Sequence, residues 1–257
     1  MTDRETRRLS FGSVAEDYDR YRPSPPPQAL DWLIPAGAEA ILDLAAGTGL
    51  VTRELIGRAP RVVAVEPDER MRAVLAARCP EAEVLAGRGE DIPLPGASVD
   101  AVVISAAWHW LDPALAVPEI TRVLRPGGHL GVLWTSRDDR VPWVAEFNAL
   151  ARESREADRP QGQPGGDPAA RRRRRWVEFP AGSPLSPPEE RLVEFSVPMN
   201  RDELAGLLGT YSGIITLEPR QRAEFSERVR SFLDRQPWDE ADVPMICRGL
   251  RSTRLPG

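Results

Sequence analysis

The stretch ILDLAAGTGLVTREL, residues 41–55, decides how the chain is read. A short apolar run ends near an acid, a glycine-rich turn follows, and LVTRELIGRA (50–59) then spaces its apolar residues as a helix does. Strand, tight turn and helix in that order open a doubly wound sheet, and the glycines allow close approach of a ligand to the backbone. The pattern then repeats. Strands are predicted at 40–44, 61–66, 82–87, 98–107 and 129–136, with helices at 68–80 and 113–128. Continuous apolar strands alternating with helices mean a parallel sheet covered on both faces. Beyond Ser136 the spacing predicts helices at 141–156, 201–209 and 224–236 and strands at 191–199 and 244–254.

At 257 residues the chain sits at the upper edge of one domain and can bury a sizeable core. Its 41% hydrophobic and 28% charged content is that of a soluble globular protein. No apolar run reaches about 18 residues, and the opening MTDRETRRLSFG lacks the apolar core of a secretory signal. A cytoplasmic location and no membrane partner are expected. Cys79 and Cys247 lie far apart, so neither a metal cluster nor a disulfide framework is expected. The net charge of −5 argues against a general nucleic-acid binder. All 34 basic residues are arginine, which suits a GC-rich bacterial genome and excludes a lysine Schiff base. The run RRRRRW (171–176), flanked by PQGQPGGDPAA, reads as a solvated loop of like charges.

The glycine turn narrows the ligand. A dinucleotide site wants G-x-G-x-x-G or a final alanine, yet the third position after Gly47 and Gly49 is Thr52. Asp43, at the end of the first strand, would repel a pyrophosphate and suits an ammonium instead. Glu66, ending the second strand, is placed to bond two ribose hydroxyls. An amino-acid end, an adenosine end and no phosphate describe S-adenosylmethionine. Taken singly, Asp43 could cap the next helix, Glu66 could be a surface acid and Met71 could be core, since its spacing with Val74 and Leu75 is helical.

Four blocks, LDLAAGTG, VVAVEPDERM, EDIPLPGASVDAVVISAAWHWLD and EITRVLRPGGHL, together resemble the class I S-adenosylmethionine-dependent methyltransferases, nearest the type 11, trans-aconitate methyltransferase-like branch. The likeness is dense over 40–135, looser over 11–30 and 200–236, and absent from about 157–190. It implies one α/β domain: a doubly wound, mostly parallel, seven-stranded Rossmann-like sheet with helices on both faces. Residues 1–30 would form an N-terminal lid and 31–136 the cofactor-binding core. Residues 137–190 would be a variable, partly disordered insertion, and 191–257 would complete the sheet. A monomer or homodimer acting on a small-molecule acceptor is expected.

The resemblance also assigns roles. Asp43 and the backbone of Ala45, Gly47, Thr48 and Gly49 would hold the methionine end, and Glu66 the ribose. Pro67 and Met71 would pack near the adenine. Gly89, Glu90 and Asp91 would flank its edge, and Ser105 and Ala106 would lie under the sulfonium. Many relatives carry an Asp two residues before the position of Glu90, where this chain has Arg88. A guanidinium cannot accept from the adenine amino group, so Glu90, Asp91 or backbone groups would replace it.

Methyl transfer asks chiefly for alignment and exclusion of water, and a base only where the acceptor carries a high-pKa proton. His109, one of two histidines, follows the fourth strand within AAWHWLDP and is the candidate base; it could instead simply order the loop. Trp108 and Trp110 could face the sulfonium or simply pack. Tyr18 and Arg22 could bind the methionine carboxylate or an acidic acceptor. Tyr21, Trp134, Trp143 and Tyr211, the last beside Ser212, would line the acceptor pocket. His129 reads as structural. An NAD-dependent oxidoreductase is disfavoured by Asp43, by Thr52 and by the absence of lysine. A non-catalytic cofactor binder is compatible with the same residues, because methyl transfer leaves few obligatory ones. Net acidity speaks against an RNA or protein methyltransferase.

Overall fold

The computed structural model describes residues 11–157 and 177–256. The arginine run and the greater part of the expected insertion lie outside the described residues. A short 3-10 turn, Phe11–Val14, leads into α1 (Ala15–Tyr21) and α2 (Pro27–Leu33). The alternating core follows as β1 (Ala40–Leu44), α3 (Leu50–Leu55), β2 (Arg61–Val65), α4 (Glu69–Arg78), β3 (Glu83–Leu85), β4 (Val99–Ser105), α5 (Pro113–Val123) and β5 (Leu124–Arg137). Next come α6 (Pro142–Ala157), β6 (Glu189–Asn200), α7 (Arg201–Gly209), α8 (Ser212–Ile215), α9 (Pro219–Asp234) and β7 (Glu240–Thr253).

The seven strands form one sheet in the order β3-β2-β1-β4-β5-β7-β6. The first five pair in parallel, and β7 runs antiparallel to both β5 and β6. Side-chain alternation divides the inner strands between two cores. Leu42, Leu44, Val102, Ile104, Leu130 and Val132 meet Ala116, Val117 and Ile120 of α5 on one face. Ile41, Ala101, Val103 and Leu133 meet Leu30 and Leu33 of α2 and Val51 and Leu55 of α3 on the other. A third core, built from α6 to α9, gathers Phe147, Leu204, Leu207, Phe225 and Phe232 with Met199 and Met245. The doubly wound, mostly parallel architecture is thus as expected, with antiparallel pairing at one edge.

Boundaries differ in places, each for a local reason. The helix expected over 113–128 stops at Val123, because Leu124 is already extended and pairs with Val99. The ladder resumes at Ala101↔His129, so Arg125 to Gly128 bulge out of the strand, where Pro126 needs no ladder donor. The fourth strand ends at Ser105 and not 107, because Ala106 turns left-handed at φ 53°. The helix expected from 224 begins at Pro219, whose fixed φ suits the first helical position. Cys79 and Cys247 are free buried thiols, both pushed up to about 11 by burial. His129 is half-buried, and its Nδ1–H donates to the Leu33 carbonyl at 3.0 Å. No described helix is long and apolar enough to cross a membrane.

Candidate active site

The strand order reverses between β1 and β4, and a crevice opens beyond their carboxyl ends. Both chains leave the sheet there in the same unusual way. Ala45 follows β1 with φ 59° and Ala106 follows β4 with φ 53°. A left-handed alanine costs about 1–2 kcal/mol, so the two turns are held by their surroundings. The Ala46 N–H donates to Val65 O at 3.1 Å and the Ala106 N–H to Leu133 O at 2.8 Å.

The glycine turn has two different glycines. Gly49, at φ 89°, sits where a Cβ would lie 2.5 Å from Leu75 Cδ1 and 2.9 Å from Cys79 Sγ, so it lets α3 close on α4. Gly47, at φ 61°, would carry a Cβ that meets no atom within 4 Å. Its freedom serves the crevice.

Three carboxylates border this turn. Asp43 is the one polar side chain in fully buried β1, and it accepts from Thr52 Oγ1 at 2.6 Å. Burial pushes its pKa up to about 7; the Thr52 hydrogen bond opposes this and the Glu66 charge adds to it. Glu66, buried at the end of β2, accepts from the Gly47 N–H at 2.9 Å and from the Asp68 N–H at 2.8 Å. Asp68 caps α4 by accepting from the Arg70 N–H; desolvation raises its pKa, but hydrogen bonds from the Arg70 side chain and from the Arg70 and Met71 backbone, with the Arg70 charge, together hold it below the usual range.

Two cavities occupy the crevice. One, of about 710 Å³, is lined by Glu66, Pro67, Asp68, Met71, Arg88, Gly89, Ala107, Trp110 and Leu111. The other, of about 690 Å³, is lined by Arg22, Asp43, Leu50, Thr135, Leu207, Tyr211 and Met245, among others. Tyr18, Ala45, Gly47, Ser105 and Ala106 line both, so the two spaces meet over the ends of β1 and β4.

The crevice fits a cation with a diol and a flat ring better than a pyrophosphate. Asp43 is a buried acid that gains most from a neighbouring positive charge. The Gly47 N–H, a natural phosphate donor, is already spent on Glu66. Met71 and Pro67 provide an apolar, deformable wall. Among the described residues no cluster could hold a metal ion.

The second cavity is walled by the helices after β6. Arg22 lies with its guanidinium carbon 4.1 Å from the Tyr211 ring centre and 5.0 Å from that of Tyr18. It donates to Thr210 Oγ1 at 2.9 Å and to Thr210 O at 3.2 Å.

The structure brings Asp43, Ala45, Gly47, Glu66, Pro67, Met71, Gly89, Ser105, Ala106, Tyr18, Arg22, Trp110 and Tyr211 to one or both cavities. It does not bring the others. His109 is exposed, its ring tilted at 44° to that of Trp110 with centroids 4.4 Å apart, and it borders neither cavity, so the geometry gives the base reading no support. Trp108 points into the core, edge-on to Phe179 at 6.0 Å. Trp134 packs against the α5-side core, because its neighbour Thr135 takes the cavity face and adjacent strand residues face opposite ways. Trp143 packs on Trp238 at 5.1 Å, and Tyr21 fills the space over Gly206 that ties α1 to α7. Thr48 is buried and Gly49 is turned to α4, and neither lines a cavity. Glu90 accepts from the Asp112 N–H at 2.9 Å and Asp91 is exposed, so the carboxylate substitutes for the missing Asp are absent from the cavity and the backbone at Gly89 is left. Leu111, Thr135, Leu207 and Met245 were missed, being ordinary residue types from separate segments; Leu111 and the last three complete the two walls.

Comparison with known proteins agrees with this geometry. A family described as a methyltransferase domain matches residues 42–132. An uncharacterized methyltransferase of Mycobacterium tuberculosis is 42% identical over 229 residues, covering 89% of this chain and 87% of its own length. One from Schizosaccharomyces pombe is 28% identical, covering 96% of this chain and 98% of its own. Among solved structures, a candidate type II methyltransferase from Anaeromyxobacter dehalogenans superposes with a TM-score of 0.68 at 26% identity, over 92% of this chain and 100% of that one.

Proposed function

The chain belongs to the class I S-adenosylmethionine-dependent methyltransferases, and from that premise we propose that it methylates a small-molecule acceptor held in the second cavity. The pair of cavities that meet at Tyr18, Ala45, Gly47, Ser105 and Ala106 carries this reading. When bound, S-adenosylmethionine supplies a methyl group already activated on a sulfonium; the acceptor lone pair forms the new bond while the carbon–sulfur pair returns to sulfur as a neutral thioether.

The chain's own residues hold and align. Glu66 takes the ribose hydroxyls, and Asp43 takes the ammonium. Arg22, fixed by Thr210, faces the methionine carboxylate. Pro67, Met71, Trp110 and Leu111 enclose the adenine. Tyr18 borders both cavities and helps keep water from their junction, where alignment supplies much of the rate. Among the described residues lining the second cavity, Asp43 is the one carboxylate and no histidine is present. With Asp43 on the ammonium, no base remains, so the acceptor atom enters with its lone pair available: an ionised oxygen or sulfur, or a neutral amine.

Calorimetry with S-adenosylmethionine and with NAD tests the first half; binding of NAD alone overturns it. Incubating the protein with methyl-labelled S-adenosylmethionine and a bacterial extract tests the second. Label is expected in the dialysable fraction, and label confined to protein or RNA overturns the small-molecule reading.

A further inference from the structure

The turn after β3 brings Arg88 to the wall of the first cavity. It stands between two glycines, and both are pressed against neighbours. A Cβ on Gly87 would lie 2.6 Å from Pro93 Cδ, and one on Gly89 would lie 2.8 Å from Leu111 Cδ2. The Arg88 backbone closes on Asp91 in an antiparallel bridge: its N–H donates to Asp91 O at 3.5 Å, and its carbonyl accepts from the Asp91 N–H at 3.1 Å. The side chain is therefore what Arg88 has left to offer a ligand. It is exposed, and among the described residues nothing pairs with its guanidinium.

The other charged groups of this cavity are committed. Asp68 accepts from the Arg70 N–H at 2.9 Å and from Arg70 Nη2 at 2.8 Å. Glu66 accepts from two backbone N–H groups. Glu90, two residues past Arg88, turns to the Asp112 N–H and does not line the cavity. Tyr18 and Ser105 belong to the junction with the second cavity. A base lying between Pro67, Met71 and Leu111 thus meets Arg88 as the uncommitted polar side chain. A guanidinium only donates. Every purine offers it the N7 acceptor, and the group at position 6 decides the rest. Adenine puts an amino donor there, which has nothing to give a guanidinium. A 6-oxopurine puts an acceptor there, and O6 with N7 match two N–H groups of one arginine.

Resting on the methyltransferase reading above, we propose that Arg88 is the residue that reads the purine, donating to N7 and to an acceptor at position 6, so that the site binds the 6-oxopurine form of its cofactor at least as tightly as the adenine form. Adenine is held through N7 and the apolar walls, and its amino group is not selected for. A side chain that can accept, placed at this position, reverses the order, because a glutamine amide pairs with adenine N6 and N7.

The test is calorimetry of the full chain with S-adenosylhomocysteine and with S-inosylhomocysteine, in which a carbonyl replaces the amino group. The wild type is expected to bind the inosyl compound at least as tightly as the adenosyl one. Arg88→Gln should bind the adenosyl compound about ten times more tightly than the inosyl one. Arg88→Lys, a donor without the fork, should keep part of the wild-type order. Both variants change an exposed residue and should melt as the wild type does without ligand, so a changed ratio is not a change in folding. Ligand-induced rises in melting temperature should follow the same order as the affinities. A wild type that prefers the adenosyl compound, or a ratio of affinities unmoved by Arg88→Gln, overturns the proposal while the methyltransferase reading stands. A wild type that binds neither compound overturns both.

Discussion

Glu66 and Gly47 are joined across the mouth of the crevice: the carboxylate ending β2 accepts from the N–H of the turn after β1 at 2.9 Å. The acid expected to hold the cofactor therefore also shapes the turn that receives it. Glu66→Ala removes two charge-assisted bonds to backbone donors, each worth roughly 1.5–3 kcal/mol. Calorimetry should show cofactor affinity at least tenfold weaker, with a lowered melting temperature. Glu66→Gln should fare little better, because its amide nitrogen would confront one of those two N–H donors.

Asp43 gives the protein a pH signature. Its pKa rises from 3.8 to about 7 on folding, so the unfolded chain loses this proton first as pH increases. Its contribution to stability is full below about 3.8, declines between 3.8 and about 7, and is flat above. Urea denaturation across this range should show that decline in the wild type and lose it in Asp43→Asn. Cofactor binding should run the other way: affinity for the ammonium-bearing ligand rises towards pH 7 and then levels. A pH-independent affinity in the wild type would remove Asp43 from the ammonium site.

The two glycines of the turn should separate stability from binding. Gly49→Ala forces a Cβ against Leu75 and Cys79 in a left-handed residue. Strain and overpacking together should cost about 2–5 kcal/mol in urea denaturation. Gly47→Ala meets open space and carries only the strain, about 1–2 kcal/mol, yet it crowds the junction of the cavities. Its larger effect should be on cofactor affinity.

His109→Ala should leave the catalytic rate constant unchanged, since the ring is exposed and outside both cavities. Trp108→Ala should be far more damaging, removing a core side chain packed on Phe179 and costing about 3–5 kcal/mol of stability. A loss of rate in His109→Ala with cofactor binding intact would restore the base reading.

The cofactor half of the molecule was legible because its signals are local. Buried strands such as Val62 to Val65 are apolar on both faces, and the acids Asp43 and Glu66 stand at strand ends beside a glycine turn. The far edge of the sheet was read short because its outer residues are charged. Glu189 pairs with Arg251 at 2.8 Å and Glu190 with Arg248 at 2.5 Å, a cross-strand pattern that no single segment displays. The acceptor half was least legible. Thr135, Leu207 and Met245 converge from three distant segments, and the aromatic residues chosen for that wall carry no mark of which face they take. Trp134 was expected where Thr135 stands.

The sheet inserts β7 between β5 and β6, although β7 follows both in the chain. Every residue lining the first cavity lies between Tyr18 and Leu111, whereas the second needs Met245 from β7. On a chain leaving the ribosome, the wall that receives the adenosine end of the methyl donor can therefore form well before the room for its recipient has a back wall. Until β7 emerges, β6 waits as a strand with no neighbour to seat it, and that interval is when a growing chain is most exposed to mispairing.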